Sequence, residues 1–239
     1  TVTLGATAIK VNTMKFIGSA QNWTFNSGTL DFGSNGSVVI TNDDHVTINS
    51  GITGSGTLTL TTSKSTWARG VRLYGNNSAF TGKLVARRTA GSYFWLYATN
   101  DVNFGAVPGA YTADALTLDG AYLQNAASRV IDISANRGIT LGSNGLLVYN
   151  GALGTINFNS IITGIGGLTL SASTGTINLN NVNDYPGTTG LMGGKTVLGM
   201  DNALPHGTGK GNIWFRCWDA AATLDLNGHV VTINGVHDQ

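Results

Sequence analysis

Leucine, isoleucine and valine alternate with threonine, asparagine and aspartate in short runs along almost the whole chain. Thr57-Leu58-Thr59-Leu60, Leu116-Thr117-Leu118-Asp119, Leu168-Thr169-Leu170-Ser171 and Leu224-Asp225-Leu226-Asn227 carry the pattern, as do Val46-Thr47-Ile48-Asn49, Ile131-Asp132-Ile133-Ser134 and Thr176-Ile177-Asn178-Leu179. A period of two sends apolar and polar side chains to opposite faces of an extended strand. Each run therefore predicts a half-buried strand of about four to six residues. The runs end in Gly, Asn or Ser, and the prolines Pro108, Pro186 and Pro205 stand in turn-like settings. No helical periodicity of any length accompanies them, so the pattern predicts an all-β protein.

Composition narrows this further. The chain has 239 residues, 34 of them Gly, 31 Thr and 24 Asn, and its 12 acidic residues are all Asp. Without Glu, and with six Lys, seven Arg and three Gln, it lacks the residues that cover a solvent-facing helix. A 41% hydrophobic content is enough for a packed core. The net charge is +1 and no basic run exceeds Arg87-Arg88, which argues against a nucleic-acid partner. No apolar stretch approaches the roughly 20 residues that span a bilayer, and no signal peptide opens the chain. The single Cys217 excludes an internal disulfide framework and a Cys-rich zinc site.

An internal repeat points to the architecture. Ser50-Gly51-Ile52-Thr53-Gly54 through Leu58-Thr59-Leu60 matches Ser160-Ile161-Ile162-Thr163-Gly164 through Leu168-Thr169-Leu170. Asn76 to Gly82 resembles Asn181 to Gly187, and Ala115 to Gly120 resembles Thr223 to Gly228. The three matches keep their order and nearly one offset. One domain, 1–239, is expected, with internal repeats at about 30–124 and 139–233. Each half holds several strands, so the physical unit is smaller: a solenoid coil of roughly 20–25 residues with Gly or Asn at its corners. About ten such coils make a rod some 50 Å long. A sandwich or jelly roll explains the strand spacing equally well but calls for no tandem repeat.

The second half resembles the autotransporter-associated β-strand repeat of bacterial surface and secreted proteins. The resemblance rests on Gly164-Ile165-Gly166-Gly167-Leu168-Thr169-Leu170-Ser171 and Asn183-Asp184-Tyr185-Pro186-Gly187-Thr188-Thr189. It continues through Lys195 to Gly199, Asp201-Asn202-Ala203-Leu204 to Gly209, and Ala222-Thr223-Leu224-Asp225-Leu226-Asn227-Gly228 to Ile233. The first half carries a worn copy, and residues 1–45 match poorly. The resemblance implies a right-handed parallel β-helix of the passenger type, an extracellular or bacterial cell-surface location, and no catalytic residue to carry over. The chain as given carries no segment patterned like a C-terminal membrane barrel.

Candidate sites are few. Asn42-Asp43-Asp44-His45 is the densest polar cluster; paired carboxylates suit glycoside cleavage, but an Asx turn between two strands is the simpler reading. The other aspartates, such as Asp114, Asp119, Asp132, Asp184, Asp201, Asp219 and Asp225, are spread singly. His45, His206, His229 and His237 show no metal spacing, so no metal and no cofactor are expected. Arg69, Arg72, Arg87 and Arg88 gather around Trp67 and Tyr74 as the only basic concentration. Two dense aromatic clusters stand out, Tyr93-Phe94-Trp95-Leu96-Tyr97 and Trp214-Phe215-Arg216-Cys217-Trp218. Alternation puts Tyr93, Trp95 and Tyr97 on one side and Trp214, Arg216 and Trp218 on one side, opposite core-facing Phe94, Leu96, Phe215 and Cys217. Such rows seal a solenoid flank, meet a neighbouring subunit or stack on sugar rings.

The reading that follows is a non-enzymatic, extracellular structural solenoid. Open coil ends invite head-to-tail stacking or strand exchange with further copies. A carbohydrate-binding or polysaccharide-cleaving β-helix is the alternative, with a glycan as its partner.

Overall fold

Strand Thr57–Thr62 shows how these residues fold. Leu58, Leu60 and Thr62 turn inward and are buried, while Thr57, Thr59 and Thr61 stay outside. The strand lies parallel and in register between Asn35–Ile40 and Lys83–Arg88. The computed structural model of the chain describes residues 1–238 except 18–21, 41–44, 63–69, 90–93, 126–127, 151–152 and 217–220. Across the described residues the strands repeat in the fixed order first, second and third face, and the chain is a right-handed parallel β-helix.

Among the described residues eleven strands stack on the first face. They run from Val2–Thr3 through Trp23–Asn26, Val46–Ile48, Gly70–Leu73, Phe94–Ala98, Ala121–Asn125 and Leu146–Asn150 to Ile213–Phe215 and Val236–Asp238. The two long strands Leu168–Leu179 and Thr189–Leu198 begin on this face and turn the corner onto the second, with register shifts marking the bend. The second face holds Thr29–Asp31 and Gly51–Thr53 near one end, and Val130–Ile133, Thr155–Phe158 and Ala222–Asp225 toward the other. The third face runs from Thr13–Phe16 to Ile162–Gly164. Coils differ in length: the one from Phe94 to its partner Ala121 is longer than the one from Leu168 to its partner Thr189. Ten coil steps at about 4.8 Å make a rod of about 48 Å.

Inside, like residues stack on like. Val71, Leu96, Leu123, Val148, Leu170 and Leu191 form one buried column of the first face. Leu58, Leu84, Leu116, Ile139 and Ile162 form another on the third. Each such side chain contributes about 1.5–3 kcal/mol by leaving water. Corners are closed by asparagine. The buried Asn125 Nδ2 donates to Asn150 Oδ1 at 3.1 Å and to the carbonyl of Arg129 at 2.7 Å. Asn150 Nδ2 does the same for the carbonyls of Gly154 and Thr176 at 2.6 and 2.9 Å. Gly56 is required by close approach, since a Cβ there would lie 1.0 Å from the Ser34 carbonyl oxygen of the coil below.

The paired phrases of the sequence repeat do not fall on the same faces. Leu58 stands on the third face and Leu168 on the first, while Leu116 is on the third and Leu224 on the second. The structural repeat is the coil. Any of the three faces accepts the same inward-Leu, outward-Thr phrase, so the phrase recurs on different faces while local contacts repeat with it: Asn77 Oδ1 accepts the Ile52 N–H and Asn183 Oδ1 accepts the Ile162 N–H, both at 2.9 Å.

One coil departs from apolar filling. Residues 99–111 form a longer connection with a single 3-10 turn, Asp101–Phe104. Arg137, only 1% exposed, reaches into it. Its Nε donates to Asp101 Oδ1 at 2.7 Å, and its Nη2 donates to the carbonyls of Gly105 and Ala106 at 2.9 and 3.0 Å. Its Nη1 donates to the carbonyl of Phe104 at 3.4 Å. Removing the guanidinium leaves the Asp101 carboxylate and three carbonyls without these donors. Arg137→Ala is expected to cost about 3–5 kcal/mol in urea denaturation, comparable to the about 2–5 kcal/mol expected for Leu123→Ala. A loss below about 1 kcal/mol for Arg137→Ala would show that the pair does not hold this connection.

Ionic clips tie the last coils. Asp201 Oδ1 accepts from the Val230 backbone N–H and from His229 Nδ1, both at 3.0 Å. The first of these, then the second, holds its carboxyl below the usual carboxylate range. Asp225 is likewise held down, first by Lys195 at 2.7 Å and then by the Asn227 backbone N–H. A carboxylate with a depressed folded pKa stabilises the fold above its unfolded value, near 4, and that contribution is lost as pH falls through the lower folded value. Both groups are exposed, so the effect is local. Amide protection relative to the intrinsic exchange rate at each pH is expected to fall in residues 222–235 below about pH 4 while Ala121–Asn125 stays protected. Equal acid sensitivity along the rod would contradict this.

Candidate functional site

Strand Phe94–Ala98 positions the first aromatic cluster. Phe94, Leu96 and Ala98 point inward at 0% exposure, and Trp95 and Tyr97 stand outside, half-buried. In a parallel, in-register stack each outward side chain sits directly over its counterpart in the next coil. Two outward columns result on the first face. One reads Trp95, Tyr122, Leu147, Thr169, Gly190, Trp214 and His237. The other reads Thr24, Thr47, Arg72, Tyr97, Gln124, Tyr149 and Ser171.

The lower part of the face is a continuous aromatic cluster. Trp95 packs on Tyr122 with centroids 4.8 Å apart, stacks on Tyr97 at 6.0 Å and meets Tyr149 edge-on at 6.1 Å. The Arg72 guanidinium carbon lies 5.2 Å from the Tyr97 ring centroid, a cation–π arrangement. Burial pushes the nearby Tyr74 phenol up, with the Arg72 charge opposing it. His45 packs edge-on against Tyr97 at 5.4 Å and accepts the Gly70 backbone N–H at its Nδ1. That explains His45 as a packed element of this cluster. Asn42, Asp43 and Asp44 lie outside the described residues, as do Trp67, Arg69, Tyr93, Cys217, Trp218 and Asp219.

The upper part centres on Trp214. Its ring stacks on His237 at 6.3 Å with 13° between planes, and the Arg216 guanidinium lies 5.4 Å from its centroid. Phe215, on the inward side, is only partly buried and packs against the core. Between the clusters the first column falls to Thr169 and Gly190. This step creates a groove of about 340 Å³, bounded by Tyr122 and Leu147 below, Trp214 above and Arg88 at the corner with the third face. Arg88 crosses from strand Lys83–Arg88 over Gly120, where a Cβ would lie 2.5 Å from its side chain, and Nη2 donates to Asn144 Oδ1 at 3.2 Å. No carboxylate lines the groove among the described residues.

Aspartates elsewhere are individually engaged. Asp114 pairs with Lys83 at 2.6 Å, Asp184 pairs with Lys210, and Asp132 accepts from Asn157. None of these faces the groove. The groove therefore offers stacking surfaces, hydroxyls, amides and a cation, which is equipment for binding; its described lining supplies no acid–base pair.

Of the sequence-nominated surface, Trp95, Tyr97, Trp214 and Arg216 share the first face. Trp95 and Trp214 even share one column, five coil steps or about 24 Å apart. Tyr122, Tyr149 and the reach of Arg88 were not legible in the sequence. The coil between Trp95 and Tyr122 carries the 99–111 connection and is longer than the next, from Tyr122 to Leu147, so no single spacing reveals the column.

Comparison with known protein families, curated proteins and solved structures finds no match.

Proposed function

We propose that this chain is an extracellular structural solenoid, a rod that associates end to end with further copies and displays a recognition surface on its first face. The observation that supports the association is where apolar surface is left open. Twelve large hydrophobic side chains are exposed among the described residues, and six of them fall at the two ends: Ile9, Ile17 and Trp23 at one, Leu226, Val230 and Val236 at the other. Exposed apolar surface on a parallel stack of coils is surface that a further copy can cover.

The resemblance to the autotransporter-associated repeat supports the same reading, a stem or fibre element at a bacterial surface. The described groove lining of rings, hydroxyls, amides and a guanidinium supports a binding role over an enzymatic one.

Sedimentation velocity of the 239-residue chain, with electron microscopy of the same samples, tests the association. Species heavier than a monomer that grow with concentration, seen as rods lengthened along their axis, are expected. Replacing Val236 and Val230 by Asp is expected to restore a monomer without loss of the β spectrum. A monomer at all concentrations would overturn the proposal.

A further inference from the structure

Five asparagines stand directly before a glycine: Asn35, Asn144, Asn150, Asn227 and Asn234. At such a step the backbone nitrogen can attack the neighbouring carboxamide, because glycine puts no Cβ in the way. Four of the five are held against it. Asn35 Oδ1 accepts the Thr57 N–H at 3.3 Å, and Asn35 and Gly36 lie in the ladder opposite Thr57 and Leu58. Asn144 Nδ2 donates to Asp119 Oδ1 at 2.8 Å, its Oδ1 accepts from Arg88 Nη2, and the Gly145 N–H donates to the Gly142 carbonyl. Asn150 is buried, with its Nδ2 on two carbonyls. Asn234 accepts the Gly207 N–H at 2.8 Å and donates to the carbonyls of Gly207 and Lys210 at 2.9 and 2.7 Å.

Asn227 is different. It is exposed in the turn 226–229, which the His229 N–H closes on the Leu226 carbonyl at 2.8 Å. Asn227 and Gly228 both have positive φ, 49° and 82°, as in a type I′ turn. The carboxamide makes one contact, from Nδ2 to the Leu198 carbonyl at 3.4 Å, too long to hold it firmly. The Gly228 N–H has no acceptor among the described residues, and a Cβ at Gly228 would meet no atom within 4 Å. An unengaged nitrogen, a loosely held carboxamide and open space thus meet at one step of the chain. We propose that Asn227 is a self-modifying site that deamidates through a cyclic imide. The Gly228 backbone nitrogen gives up its proton and bonds to Asn227 Cγ, the Cγ–Nδ2 bond breaks, and Nδ2 leaves with that proton as ammonia. Water then opens the imide at either carbonyl, giving aspartate or, with the chain rerouted through Cγ, isoaspartate at position 227. The second product puts an extra methylene into the backbone of a turn from which His229 and the Val230 N–H reach Asp201. The reaction is intramolecular and takes up only water, so it runs on dilute protein whether or not the rods associate.

Peptide mapping by mass spectrometry of protein aged in warm, mildly alkaline buffer decides it. The folded chain is expected to gain aspartate and isoaspartate at Asn227 about tenfold or more faster than at the other four steps, a barrier difference of about 1.4 kcal/mol or more. In concentrated urea, where the folded contacts are gone, the five steps are expected to convert at comparable rates. Asn227→Gln, whose longer side chain would have to close a larger ring, is expected to abolish conversion at this position with an unchanged β spectrum. In the isoaspartate fraction the Val230 amide is expected to lose protection at neutral pH while Ala121–Asn125 keeps it. Conversion at Asn144 or Asn234 as fast as at Asn227 in the folded protein, the same preference for Asn227 in urea, or unchanged Val230 protection in the isoaspartate fraction would each overturn the proposal.

Discussion

In a parallel coil each residue lies directly over its partner in the next coil, at about 4.8 Å, and everything else in this molecule answers to that distance. Side chains must suit a column of near-identical neighbours. Inward columns take Leu, Ile and Val because identical branched chains nest at that spacing, as in Leu96, Leu123 and Val148. Corners take Asn because one amide donates to the next, as from Asn125 to Asn150 and from Asn49 to Asn26. Long acidic chains would repel one another in such columns, which gives physical sense to a chain with no Glu and with scattered Asp.

The same constraint turns variation along a column into shape. A column of equal residues is a flat wall. The first face instead climbs through Trp95, Tyr122 and Leu147, drops at Thr169 and Gly190, and rises again at Trp214. A rigid rod thereby acquires a groove without any inserted loop, and its two aromatic ends are fixed by backbone hydrogen bonding. Where the chain does insert a longer connection, at 99–111, it pins it from inside with the buried Arg137 and Asp101.

Much of this was legible in the sequence, for a local reason. Period-two alternation decides which residues of Phe94–Ala98 and Thr57–Thr62 face inward, and those strands follow it residue by residue. What lay beyond it was relative position between coils. Coil length varies along the rod, so neither Tyr122 over Trp95 nor Arg88 in one groove with Trp214 can be counted out along the chain. The long-range sequence repeat also hid its meaning, because three faces of similar chemistry accept the same phrase and Leu58 and Leu168 lie on different ones. The buried Arg137 had no signal, since nothing in Asn136-Arg137-Gly138 distinguishes it from a solvated arginine.

Spin-label distances along one outward column test the coil architecture most directly. Thr13, Thr59, Thr117 and Thr163 stand in register on the third face, two steps apart in turn. In a Cys217→Ser background, labels at Thr13 and Thr117 are expected about 19 Å apart and labels at Thr13 and Thr163 about 29 Å apart. Equal distances for the two pairs, or a shorter one for the pair farther apart in sequence, would contradict a parallel β-helix.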